Sequence, residues 1–90
     1  MNSLQQVPVE LKPTHTLTVS VNERDVVFHQ HEATGAEIKA AAIAHGVPIQ
    51  PDFALFQVEG HGTLKPIGDR EAITLHEHEK FRAVAPDDNS

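Results

Sequence analysis

One segment constrains the fold more than any other: residues 32–48, EATGAEIKAAAIAHGVP. Thr34 is a suitable N-cap, and Glu37 stands three residues on. That spacing makes a capping box, in which side chains satisfy the N–H groups that a helix start leaves unpaired. Ile38, Ala41, Ala42 and His45 share one face by i, i+3, i+4, i+7 spacing. Ile43 lies off that stripe and would widen it. Alanines fill the remainder, so the helix is thin enough to lie close on a sheet. Gly46 supplies the residue after the C-cap, Val47 the closing apolar contact, and Pro48 blocks continuation. No other segment carries a helical pattern of adequate length, so the fold contains one helix.

The rest of the chain reads as strands. Leu17, Val19 and Val21 alternate with Thr16, Thr18 and Ser20, the period-2 pattern of a strand with one buried face. Asn22-Glu23 makes a tight turn, because Asn tolerates positive φ. Asp25 to Gln30 then carries the β-branched and aromatic content of a second strand, which completes an antiparallel hairpin. Beyond the helix, Phe53 to Val58 reads as a third strand and Glu59 to Gly62 as a loop. Pro66 to Arg70 reads as a turn, Glu71 to Leu75 as a short fourth strand, His76 to Glu79 as a turn and Phe81 to Val84 as a last strand. Strands on both sides of one helix predict an α+β fold with a sheet wrapped over that helix. A ferredoxin-like unit needs a second helix. Residues 1–14, with Pro8 and Pro13, are expected to be a flexible leader, with a short edge strand at Val7 to Leu11 as the alternative. Residues 15–85 are the domain, and residues 86–90 a flexible, acidic tail.

Composition narrows the function. Ninety residues make one domain with a small core. With no cysteine, disulfides, thiolate metal sites and cysteine nucleophiles are excluded. The formal charge of −6 and the lack of a basic stripe, Trp or Tyr argue against nucleic-acid binding. No apolar run reaches the roughly 18 residues that span a bilayer. The N-terminal residues lack the basic start and apolar centre of a signal peptide. A cytoplasmic protein without a membrane partner is expected.

The order of elements and several motifs resemble the β-grasp fold of ubiquitin-like proteins, and more narrowly the bacterial multiubiquitin domain family. The matching segments are LTVSVNERDVVF, TGAEIKAAA, PDFALFQVEG, PIGDREAITL and the late Phe in EKFRAV. The resemblance implies a mixed four- to five-stranded sheet wrapped over one helix. It also implies a protein modifier that catalyses nothing itself and needs no cofactor. Its implied partners are an adenylating activating enzyme, a conjugating enzyme, a deconjugating peptidase and the target proteins. The activating enzyme would adenylate the C-terminal carboxylate and pass the acyl group to a carrier nucleophile and then to a target. The conjugation tail would be Pro86, Asp87, Asp88, Asn89 and Ser90. Such modifiers usually end in Gly-Gly, which leaves a narrow adenylation channel unobstructed. Asp-Asp-Asn-Ser does not. Either an adapted activating enzyme accepts this tail, a peptidase trims it first, or conjugation has been lost; the first is favoured.

Both faces of the third strand are apolar, with Phe53 and Leu55 on one and Ala54, Phe56 and Val58 on the other. A sheet covered by one helix keeps only one face dry. The other set, with Val84, would then form an exposed patch of the kind that marks partner surfaces. The partner-binding candidates are Phe56, Val58, Lys80, Arg82 and Val84. The alternative is that the leader covers this face.

Seven histidines invite a metal reading, with His29 and His31 and then His76 and His78 two apart. Each pair supplies two ligands, whereas a structural zinc site uses four. Solvated surface histidine near turns is the plainer reading, and no metal site is assigned. Protonation of all seven would move the formal charge from −6 to +1. His76 to Lys80, HEHEK, is not a zinc-protease helix, which needs two His four apart. Glu59 to Gly62, EGHG, has no following helix and so cannot cradle a phosphate. Two rivals to the modifier remain: a β-grasp interaction module that is never conjugated, and a metal-handling protein.

Overall fold

The structure is a computed structural model that describes residues 16–86. The hairpin comes first. Strands β1 (Leu17–Val21) and β2 (Arg24–Phe28) pair antiparallel from Leu17 opposite Phe28 to Val21 opposite Arg24. Asn22 and Glu23 both have positive φ, 53° and 69°, as a two-residue hairpin turn requires. Asn22 also does something that the turn alone does not demand. Its side-chain carbonyl accepts from the Ala83 N–H at 2.9 Å and its amide donates to the Ala83 carbonyl at 3.1 Å. The side chain thus acts as one more peptide unit of β1, lying along the last strand of the chain.

Next comes β3 (Glu32–Thr34), which leads into α1 (Gly35–Ala44). The capping box is formed. The Glu37 N–H donates to Thr34 Oγ1 at 3.2 Å, and the Thr34 N–H to Glu37 Oε1 at 2.8 Å. The C-terminus closes as a Schellman motif. Gly46, at φ 89°, donates to the Ile43 carbonyl, and Val47 donates to the Ala42 carbonyl and is buried.

Strands β4 (Ala54–Val58), β5 (Leu64–Ile67), β6 (Ala72–Thr74) and β7 (Lys80–Val84) complete the chain. The main sheet has the order β2-β1-β7-β4-β5, with β7 parallel to β1 and every other pair antiparallel. The last strand therefore runs through the middle. β3 and β6 make a separate two-stranded sheet. Val19, Val21, Val26, Leu55, Phe81 and Ala83 point inward against Ile38 and Ala42 of the helix, with Val47, Ile49, Ile67 and Leu75 closing the margins.

The hairpin, the helix with both its caps, and the short segment at β6 match the sequence reading. Two strands do not. β3 lies where the helix lead-in is expected, and β5 takes in Leu64 and Lys65, which the pattern leaves without an element, together with Pro66 and Ile67 from the expected turn. Pro66 lies within β5, and this is tolerated because β5 is an edge strand that among the described residues pairs only with β4. The turn expected at Pro66 to Arg70 falls later, where the Glu71 N–H donates to the Gly68 carbonyl. The helix stripe also differs. Ile38 and Ala42 are buried, but His45 is exposed, Ile43 does not widen the stripe, and Lys39 is buried in its place. The leader, residues 1–14, and the alternative strand at Val7 to Leu11 lie outside the described residues.

Gly35 sets the depth at which the helix sits. A Cβ at this position would stand 2.3 Å from the Gly68 carbonyl oxygen and 3.3 Å from Ile67 Cγ2. Gly35→Ala must push the helix start away from the 67–68 backbone, at a cost of about 1–3 kcal/mol. Urea unfolding reads this as a lower midpoint with an unchanged slope. Gly60→Ala is the control: a Cβ there meets nothing within 4 Å, and its effect stays within about 0.5 kcal/mol.

Candidate interaction face

Strand alternation places one set of side chains on the side of the sheet away from α1. Leu55 is the inward residue of β4, so Ala54, Phe56 and Val58 face out. The strand registers order the outer face into rows. Ser20, Lys80, Val58 and Leu64 form one row across β1, β7, β4 and β5. Arg82, Phe56 and Pro66 form the next, and Val84 and Ala54 the third. Phe56 and Val58 are half-buried, whereas Leu64 and Val84 are each 42% exposed. All five partner-binding candidates, Phe56, Val58, Lys80, Arg82 and Val84, therefore meet on one face.

Leu64 belongs to this face and was missed by the sequence reading. The signal was the pair Leu64 and Ile67 in GTLKPI, which Pro66 disguises. The strand is legible only once an edge position is allowed for the proline.

The charge pattern is uneven. Lys80 and Arg82 have no ion-pair partner among the described residues, where the ion pairs are Lys39–Asp69 and His76–Glu79. Two shallow recesses flank Lys80. One, of about 390 Å³, is lined by Ser20, Glu23, Val58, Lys80, Phe81 and Arg82. The other, of about 210 Å³, is lined by Thr18, Val19, Ser20, Asp25, His78 and Lys80. The face thus has an apolar strip, two cations at its centre without an ion-pair partner among the described residues, and acidic groups at the β1–β2 margin. That combination suits a partner that brings apolar side chains and a carboxylate. The stem of an exposed cation covers apolar surface while its head stays in water.

The approach to β7 is fixed from below. Glu79 accepts from the His76 N–H at 3.1 Å and from the side-chain amide of Gln57 on β4. The His78 N–H donates to the Thr18 carbonyl at 2.7 Å, and the Ser20 N–H to the Glu79 carbonyl at 2.9 Å. β7 then delivers Lys80, Arg82 and Val84 outward, and the chain leaves past Ala85 and Pro86, both exposed. Of the tail candidates, Pro86 is described. Asp87, Asp88, Asn89 and Ser90 lie outside the described residues. The exit at Ala85 and Pro86 adjoins the Val84–Ala54 row.

The histidine pairs are not on strands. His29 and His31 sit in the bend after β2, and His76 and His78 in the turn before β7. Among the described residues, no group of three or more His, Asp or Glu could hold a metal ion. No helix among them is long and apolar enough to cross a membrane.

Lys39 was not singled out by the sequence reading. It is 4% exposed, and its ammonium makes three bonds, each at 2.7 Å: to the carbonyls of Pro51 and Phe53 and to Asp69 Oδ1. All three donors are used. Nothing in the helical pattern marks this lysine as buried, because its partners come from two later loops.

One helix gripped by a mixed five-stranded sheet with a central, parallel final strand defines a ubiquitin-like β-grasp domain. The sequence profile of the multiubiquitin family matches residues 17–87, and the chain belongs to that family. Comparison with curated proteins and with solved structures gives no match.

The geometry sorts the lysines by accessibility. Amine acetylation of the folded protein should modify Lys65 and Lys80 readily and Lys39 on the order of tenfold more slowly or less, since Lys39 reacts only through local opening. Peptide mass spectrometry over a time course reads the three rates. Equal rates would mean that Lys39 is not held as described.

Proposed function

We propose that this domain is a bacterial, cytoplasmic protein modifier, recognised through the outer sheet face and joined to other proteins through the segment after β7. The observation that carries the proposal is the adjacency of the two. The central strand β7 presents Lys80, Arg82 and Val84 on the open face and leads directly into the tail. Family membership and fold support it. In this reading the domain is not an enzyme. A partner adenylating enzyme seats the body on Phe56, Val58, Lys80, Arg82 and Val84, and draws the tail into its own site. There the tail carboxylate attacks the α-phosphate of ATP, forming an acyl adenylate and releasing pyrophosphate. A nucleophile on the carrier or the target then displaces AMP and keeps the acyl group. A conjugating enzyme and a deconjugating peptidase complete the partner set.

A second reading rests on the open face alone. Under that reading the domain docks through the same face and is never conjugated.

Expression together with its genomic neighbours separates the two, with intact-protein mass spectrometry as the readout. The modifier predicts adducts of higher mass that disappear when residues 86–90 are deleted. Phe56→Ser with Arg82→Glu should reduce the adducts by about tenfold or more, the effect of losing two central contacts. Adducts that persist without the tail, or none beside an active adenylating enzyme, reject the modifier.

A further inference from the structure

The main sheet has two edges, and they are not equivalent. β5 is four residues long and contains Pro66, which has no N–H to offer. β2 is five residues long, has no proline and pairs only with β1 among the described residues. An edge strand of this kind is a template for another strand.

The hydrogen bonds show which groups of β2 face outward. The N–H groups of Thr18, Ser20 and Asn22 all turn away from β2, bonding Glu77, Glu79 and Phe81 respectively. Leu17, Val19 and Val21 are therefore the β1 residues that bond to β2, and their partners are Phe28, Val26 and Arg24. Asp25 and Val27 direct their backbone groups outward.

One of these groups is occupied. The Val27 N–H donates to Nε2 of His45 at 3.3 Å. The other ring nitrogen, Nδ1, lies 2.9 Å from the Ala41 carbonyl oxygen. The Val27 N–H can only donate and the Ala41 carbonyl can only accept, so in this arrangement Nε2 is the acceptor and Nδ1 the donor. His45 is the C-cap of α1 and is exposed. Its ring reaches from the end of the helix to close the sheet edge. The Asp25 N–H, Asp25 carbonyl and Val27 carbonyl have no partner among the described residues.

We propose that the outer edge of β2 is a docking edge for a second copy of this chain, held shut by His45, and that two copies pair antiparallel about Val26 when the imidazole swings aside. The edge is self-complementary in that register. Asp25 of each copy faces Val27 of the other, and each such pair exchanges two N–H···O bonds. Arg24 then stands opposite Phe28, and no like charges meet. A register that sets Asp25 opposite Asp25 puts two carboxylates side by side and is disfavoured. The result is a closed two-fold dimer, with one sheet running through both copies. This edge lies at the opposite end of the sheet from β4 and β5, so the inference stands or falls independently of conjugation.

The test replaces the latch. His45→Asn suits a helix end and is too short to reach Val27, and His45→Ala serves where His45→Asn does not fold. Sedimentation equilibrium up to about 1 mM protein covers the affinity range expected of so small a contact. The open variant is expected to dimerise with an association constant roughly fivefold to tenfold above that of the wild-type chain, the worth of one exposed hydrogen bond. Amide shifts that depend on concentration should centre on residues 24–28. Adding Val27→Pro, which removes only an outward N–H, should abolish the dimer. The proposal is overturned if the folded variant stays monomeric over that range, or if it forms a dimer that Val27→Pro leaves intact.

Discussion

The start of the helix and the 68–71 turn satisfy each other's backbone, and the rest of the domain depends on that junction. The Gly35 N–H donates to the Glu71 carbonyl and the Ala36 N–H to the Asp69 carbonyl, each at 3.1 Å. These are helix N–H groups that have no partner inside a helix. In return Glu71 accepts from the Gly68 N–H within the turn. Lys39, one turn further along, bonds Asp69 and reaches the Pro51 and Phe53 carbonyls ahead of β4. Three stretches that are distant in the chain are thereby held at one place. The close approach of Gly35 to Gly68 leaves no room for a side chain between them.

A polar junction of this kind matters more in a small domain than in a large one. A chain of 90 residues buries a limited apolar area, and its net stability is a small difference between large terms. Lys39 adds little to that difference as an ion pair, because Asp69 remains 62% exposed and water screens its charge. Its contribution is positional: two loop carbonyls have a fixed donor that water would otherwise have to supply. The junction also selects one path for the return from β5 to β7. β6 pairs with β3, which is continuous with the helix start, so the turn and the small sheet reinforce the same placement.

The parts legible in the sequence were those set by local chemistry. Thr34 with Glu37, Gly46 before Pro48, and Asn22-Glu23 each act within a few residues, and each is found where the sequence put it. The alternation in ALFQV identified an apolar second face, but it could not say which face was out. That depended on where α1 lies, which is a long-range fact. Lys39 and β5 were hidden for the same reason. A lysine in a helix reads as solvated until two carbonyls from other loops close over it, and a strand with a proline reads as a loop until it is known to be at an edge. Asn22 shows a mixture of both. Its role in the turn was readable from its neighbours, whereas its pairing with Ala83 required β7 to arrive beside β1.

The same division separates the two sides of the sheet. The junction, the caps and the core all lie on the helix side of the sheet. The outer side carries Phe56, Val58, Leu64, Lys80, Arg82 and Val84, and none of these is fully buried or makes a polar bond through its side chain among the described residues. Their identities are therefore weakly constrained by stability. An apolar strip with two cations that have no ion-pair partner among the described residues contributes little to the folded state and exposes hydrocarbon to water. β7 links the two sides. Phe81 and Ala83 face the core and hold the strand in register, and that register sets the spacing of Lys80, Arg82 and Val84 on the open face. A shift of β7 by one residue would exchange the two sets, burying both cations and exposing Phe81. The Asn22–Ala83 pairing at one end and the Glu79 contacts at the other oppose such a shift, and in doing so they fix the open face as firmly as they fix the core.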